Sequence, residues 1–225
     1  MKLDAAMLEY LRLLKAPKPL PAGVEVLHPY RNPVVWSLCK QFYERYYHDQ
    51  GERRLILGIN PGRWGAGLTG IPFTDPALLE QVCGIPNDLD RRPELSATFV
   101  YEVIAACGGP ETFYRSFLIG SVCPLGFVKD GKNLNYYDLP ALARTVRPWA
   151  VRSIRSLLAM NIRADVAYCL GEGDNFRYLT ALNAEGGFFQ RVVALPHPRF
   201  VMQYRRKRMA EYIAKYREAL FNAPQ

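Results

Sequence analysis

No apolar run in this chain of 225 residues approaches the ~20 residues that a bilayer span requires, so no membrane-spanning helix is expected. Cysteine is sparse and scattered: the five residues at 39, 83, 107, 123 and 169 form no C-x-x-C pair and no Cys/His cluster. That spacing offers neither a disulfide framework nor a zinc or iron–sulfur site. The nucleotide-binding signatures also fail: no G-x-x-x-x-G-K-[ST] is present, and the one G-x-G-x-x-G, at Gly65, Gly67 and Gly70, does not directly follow the apolar run that ends at Ile59. The expectation is buried free thiols, no metal, no cofactor, no membrane partner and a reducing, cytoplasmic setting. Residues Met1 to Lys15 read as an amphipathic helix interrupted by acids rather than as a signal peptide.

What is present is apolar content and positive charge. A hydrophobic fraction of 49% over this length suits one substantial core, hence a single domain over 1–225 with an N-terminal helix and a proline-rich connector over 1–23. The formal charge of +8 is concentrated at Arg144, Arg147, Arg152 and Arg155 and again from Arg199 through Arg205 to Arg208. Such an excess favours an anionic partner, with nucleic acid leading, although a basic protein need not bind one.

Four short, nearly continuous apolar runs read as buried strands: Arg54 to Ile59, Arg115 to Val122, Asp165 to Leu170 and Arg191 to Leu195. Helical patterns separate them at Val34 to Tyr47, Pro76 to Cys83, Ser96 to Cys107, Leu139 to Asn161 with a break near Pro148, and Asn175 to Asn183. A last helix is expected from Met202 to Phe221. The alternation predicts an α/β fold, a three-layer α/β/α sandwich around a central, mainly parallel four-stranded sheet. Ligands of such sheets bind beyond the carboxyl ends of the strands, where Asn60, Ser121, Gly171 and His197 would emerge together.

The first of those ends is glycine-dense, with glycines at 58, 62, 65, 67 and 70 around a single carboxamide, Asn60. Asn60 can orient a water by hydrogen bonding but is no strong base, and it can equally serve only its own turn. His197, between Pro196 and Pro198, has a restricted backbone and is suited to donate a hydrogen bond to a departing anion, or to a structural acceptor. Phe73 is either a stacking face or a core residue. Asp75 either polarises a water or, with Pro76 after it, caps the next helix.

In their order these residues resemble the uracil-DNA glycosylase superfamily, and within it the single-strand-selective monofunctional enzymes. The motifs are Gly58-Ile-Asn-Pro-Gly62, Thr69-Gly-Ile-Pro-Phe73, Arg91-Arg92, Cys107-Gly-Gly-Pro-Glu111, Cys123-Pro-Leu125, Gly131-Lys-Asn-Leu134 and His197-Pro198. The resemblance implies excision of uracil from single- and double-stranded DNA by a metal-independent, monomeric enzyme, leaving an abasic site. It assigns the hydrolytic water to Asn60, the stacking face to Phe73 and leaving-group stabilisation to His197. Gly62 leaves room for 5-substituted uracils where other branches carry a tyrosine, and Ala66, Ser121 and Asp75 complete the expected substrate contacts.

Two departures from the family pattern stand out. Ser121 occupies the place of an asparagine that reads the uracil edge, and a hydroxyl donates only one hydrogen bond. The segment after the histidine is also replaced, so Arg199, Phe200, Tyr204 and Arg205 are expected to fill the vacated stack and hold phosphates, unless they form a solvated helical turn. The departures imply a distinct bacterial-type branch. They also motivate a competing reading as a catalytically weak nucleic-acid-binding module. A third reading is a small-molecule nucleotide hydrolase, against which the C-terminal arginines argue.

Overall fold

The computed structural model describes residues 1–221. In chain order the elements are α1 (Leu3–Leu13), β1 (Val24–Leu27), α2 (Pro33–Tyr47), β2 (Arg53–Gly58), α3 (Ala66–Thr69), α4 (Pro76–Gln81), α5 (Leu95–Ala106) and α6 (Pro110–Ser116). They continue with β3 (Phe117–Ser121), β4 (Gly126–Lys129), β5 (Lys132–Leu134), α7 (Pro140–Leu158), β6 (Ile162–Leu170), α8 (Asp174–Gly186), β7 (Arg191–Leu195), α9 (Pro198–Tyr204) and α10 (Met209–Phe221).

The predicted α/β sandwich is present: β3, β2, β6 and β7 lie in that order in one sheet, with every neighbouring pair parallel. Leu55, Ile56 and Leu57 of β2 are buried on both faces, which is why that strand reads as a continuous apolar run rather than an alternation. At ~1.5–3 kcal/mol for each large apolar side chain removed from water, these strands anchor the core. Buried side chains from helices on both sides join them in one contiguous cluster.

Several expectations are corrected. A second sheet of three antiparallel strands, ordered β1-β4-β5, was not anticipated. Its hairpin turns at Asp130-Gly131, both with positive φ (50° and 70°), a pairing that matches strand twist. The segment beginning at Arg115 starts as helix α6 and becomes strand only at Phe117. Helix α7 runs through Pro148 without interruption. The expected last helix is two helices, because Arg205 leaves helical geometry (φ −133°) and a 3-10 turn over Arg206–Arg208 follows. All five cysteines are buried and free, as expected. Among the described residues, no helix is long and apolar enough to cross a membrane.

Candidate active site

Strand register decides what meets at the carboxyl edge of the large sheet. Gly58 of β2 lies opposite Ser121 of β3, and Leu170 of β6 lies opposite Leu195 of β7. The chain at the ends of β2, β3 and β7 opens into one cleft of about 570 Å³, whose lining includes Asn60, Gly62, Ala66, Phe73, Ser121 and His197, whereas Gly171, expected there after β6, is not in the lining.

Asn60 is held by the backbone at the end of β5 and just beyond it. Its Nδ2 donates to the Leu134 carbonyl (3.2 Å), and its Oδ1 accepts from the Tyr136 N–H (3.1 Å). Needing a donor on one side and an acceptor on the other, this cradle permits only one orientation of the carboxamide. Among the described residues no other group donates to Oδ1. Tyr136 is itself fixed, fully buried with its hydroxyl donating to Asn175 Oδ1 (2.8 Å).

His197 stands at the N-cap of α9, and its Nδ1 accepts from the Arg199 N–H (3.1 Å). That bond occupies Nδ1 as an acceptor, so in the neutral ring the proton sits on Nε2. Burial first, and the Arg199 charge second, lower its pKa to about 4. The imidazole is thus a neutral donor near pH 7. Gly171 (φ 121°) backs it closely, since a Cβ there would lie 3.8 Å from His197 Cδ2.

The Phe73 ring faces the same space, 6.4 Å from the imidazole between centroids and inclined at 53°. Its backbone is left-handed (φ 52°), an uncommon state for an aromatic residue and one that concentrates at functional sites. Gly58 makes this placement possible, because a Cβ there would come within 2.7 Å of the ring.

Other expected contacts divide. Ser121 is buried at the strand end, Ala66 lines the cleft, and a Cβ on Gly62 would lie 3.2 Å from Asn133 Nδ2. Of the two roles expected for Asp75, the structure has the cap and not the substrate contact. Asp75 is 2% exposed and accepts from Leu78 N–H (2.9 Å) and Glu94 N–H (3.1 Å), away from the cleft lining. Arg199, Phe200 and Tyr204 line the mouth, with Phe200 39% and Tyr204 66% exposed. Arg205 stacks its guanidinium 5.4 Å from the Phe200 ring.

The sequence reading passed over the roles of Trp64, Asn133 and the Leu134–Tyr136 backbone. The Asp-Gly hairpin signal was the available clue to the last two. A thiol nucleophile finds no support: burial pushes Cys39 and Cys169 up to about 12, and no cysteine lines the cleft. Among the described residues, no group of three or more His, Cys, Asp or Glu side chains is arranged to hold a metal ion.

The family model "Uracil DNA glycosylase superfamily" matches residues 45–221. A single-strand selective monofunctional uracil-DNA glycosylase of Rattus norvegicus is 31% identical over 134 residues, which cover 50% of this chain and 48% of that protein. The Mus musculus counterpart is 30% identical over 134 residues, covering 50% of this chain and 47% of its own. The chain thus matches about half the length of these curated relatives. A crystal structure described as wild-type Pedobacter heparinus SMUG2 superposes with a TM-score of 0.95 at 41% identity, covering 99% of this chain and 100% of that one.

Proposed function

The chain belongs to the uracil DNA glycosylase superfamily, and from that premise we propose that it hydrolyses the N-glycosidic bond of uracil in DNA. The product is an abasic site in an uncut strand. The observation that carries the proposal is the pairing of an orientation-locked Asn60 with a neutral, Nε2-protonated His197 across one cleft that Phe73 also lines.

The uracil nucleotide leaves the base stack and enters the cleft, where Phe73 offers a stacking face. As the glycosidic bond breaks, its electron pair goes to the base and positive charge grows on the sugar. His197 Nε2–H donates to the anionic uracil, which is where the transition state most needs help. A water held on Asn60 Oδ1 then adds to the cationic sugar and loses its proton to solvent. A cationic acceptor needs only a weakly activated water, so a carboxamide suffices. Arg199, Phe200, Tyr204 and Arg205 take the strand at the mouth, by phosphate contacts and by filling the vacated stack.

Without a side chain, Gly62 favours acceptance of 5-substituted uracils such as hydroxymethyluracil. Ser121, offering one hydroxyl, favours looser reading of the base edge than an asparagine would give. Single- and double-stranded DNA both belong to the proposed substrate range, and the protein is proposed to act as a monomer.

The test is base release from oligonucleotides carrying uracil, hydroxymethyluracil, xanthine, hypoxanthine or thymine, each single-stranded and mismatched. Alkali-labile sites are expected at uracil, unaffected by EDTA. Asn60→Ala and His197→Ala are each expected to slow single-turnover release by ~3–4 kcal/mol in activation free energy. Wild-type rates in either variant would remove the mechanism. The serine at 121 favours a second reading, a binding module without catalysis, which predicts salt-sensitive DNA binding with no base released from any member of the panel.

A further inference from the structure

A second cationic cluster at the cleft is unused by the reaction above. Trp64 lies in the cleft wall, and two guanidinium groups sit over its ring, Arg63 at 4.9 Å and Arg92 at 4.3 Å from the centroid. They come from separate segments, one from the loop that carries Asn60 and the other from the residues leading into α5.

Two like charges gathered on one indole repel each other, and the cation–π attraction of each to the ring only partly offsets this. Several surface arginines are matched with acids, Arg12 with Glu9, Arg147 with Glu185, Arg177 with Asp174 and Arg208 with Glu211, and Arg92 itself pairs with Asp90. Arg63 is not among them. Among the described residues it has no carboxylate within ion-pair distance, and its Nε is buried without a hydrogen-bond partner. Arg92 is ion-paired through its Nε with Asp90 (2.6 Å), an exposed pair that leaves its terminal amines for a further acceptor. The nearby Glu94 carboxylate does not neutralise the pair, because it accepts from the Ser96 and Ala97 N–H groups at the start of α5.

The cluster is also rigidly mounted. The Arg63 N–H donates to Asn133 Oδ1 (3.2 Å), and the Gly67 N–H donates to the Gly62 carbonyl (2.8 Å). Contact with the Trp64 ring restrains both guanidinium groups. Forks so restrained suit a tetrahedral anion, to which arginine presents paired donors.

We propose that Arg63 and Arg92, braced on Trp64, form a phosphodiester clamp that grips the DNA strand beside the extruded nucleotide. The proposal rests on the reading of the chain as a DNA glycosylase and adds a contact separate from the α9 rim. Because Arg63 lies three residues from Asn60, backbone capture and water placement share one loop.

The clamp is tested by fluorescence anisotropy with a labelled single-stranded oligonucleotide carrying a central abasic analogue, titrated over a range of KCl. The proteins are wild type, Arg63→Gln, Arg92→Gln, the double variant, and Arg12→Gln as a control that removes one charge from α1. Each clamp variant is expected to bind about fivefold or more weakly and to flatten the slope of log K against log[salt] by about 0.7, the value for one lost phosphate contact on a single strand. Arg12→Gln should do neither. Arg63→Lys should keep the slope while losing part of the affinity, since it retains charge without the fork. A neutral methylphosphonate placed next to the abasic analogue should weaken the wild type but weaken the double variant no further. Thermal melts confirm that each variant is folded.

An unchanged slope and affinity in the folded double variant overturn the clamp, whether or not the wild type releases uracil. Conversely, a wild type that releases no base but loses salt-sensitive binding in these variants leaves the clamp standing and removes the glycosylase reading.

Discussion

A histidine whose Nδ1 already accepts a backbone N–H can donate only from Nε2, and one whose pKa is held near 4 does so without becoming charged. Base release is therefore expected to show no loss through His197 from pH 8 down to about pH 5, and to decline as pH approaches 4, in single-turnover assays with buffers of constant ionic strength. Stability follows the same group. The unfolded histidine titrates near 6.5, so between about 6.5 and 4 the unfolded chain binds a proton that the folded chain refuses. Stability should fall as pH drops through that window, and urea midpoints at pH 7 and pH 5 should differ less in His197→Gln than in wild type. Gly58 offers a sharper steric test. An alanine Cβ would meet the Phe73 ring at 2.7 Å, so Gly58→Ala should cost ~1–3 kcal/mol of overpacking and impair base release by moving the ring.

Between strand ends and chemistry stand short elements that hold functional groups in place. Asp75 caps α4 and also accepts the Glu94 N–H, tying the Asn60 loop to the start of α5. Asp75→Ala should lower unfolding free energy by ~1–2 kcal/mol in urea titrations, through the lost cap rather than through a lost substrate contact. Competition between cap and catalyst was visible in Asp75-Pro76, and the fold resolved it by burying the carboxylate. The β4–β5 hairpin shows the opposite case. Its strands are too short for any apolar periodicity to declare them, yet the last residue of β5 supplies the Leu134 carbonyl, and the chain just beyond it the Tyr136 N–H, that orient Asn60. Only the Asp130-Gly131 turn announced them. The split between α9 and α10 was likewise hidden, because the basic run from Arg205 to Arg208 keeps a helical composition while Arg205 adopts a non-helical backbone.

The whole molecule carries a formal charge of +8; Arg199 of α9 lines its cleft, and Arg63 sits over Trp64 of the cleft wall. Substrate capture should accordingly be salt-sensitive: at DNA concentrations far below saturation the release rate should fall steeply between 50 and 200 mM KCl, about tenfold or more, while the rate at saturating DNA should change little. The four parallel strands and the main helices between them were legible in sequence alone, as were Asn60, Phe73 and His197 as candidates. Buried parallel strands impose continuous apolar runs, and chemistry imposes particular side chains beside glycines. What only tertiary structure decided is state and partnership: the single orientation of Asn60, the neutral Nε2-protonated form of His197, the capping role of Asp75 and the meeting of Arg63 with Arg92 on Trp64. Each depends on groups from 2 to 76 positions apart, and on burial that shifts a proton or fixes a rotamer, and neither can be read from a string of residue types.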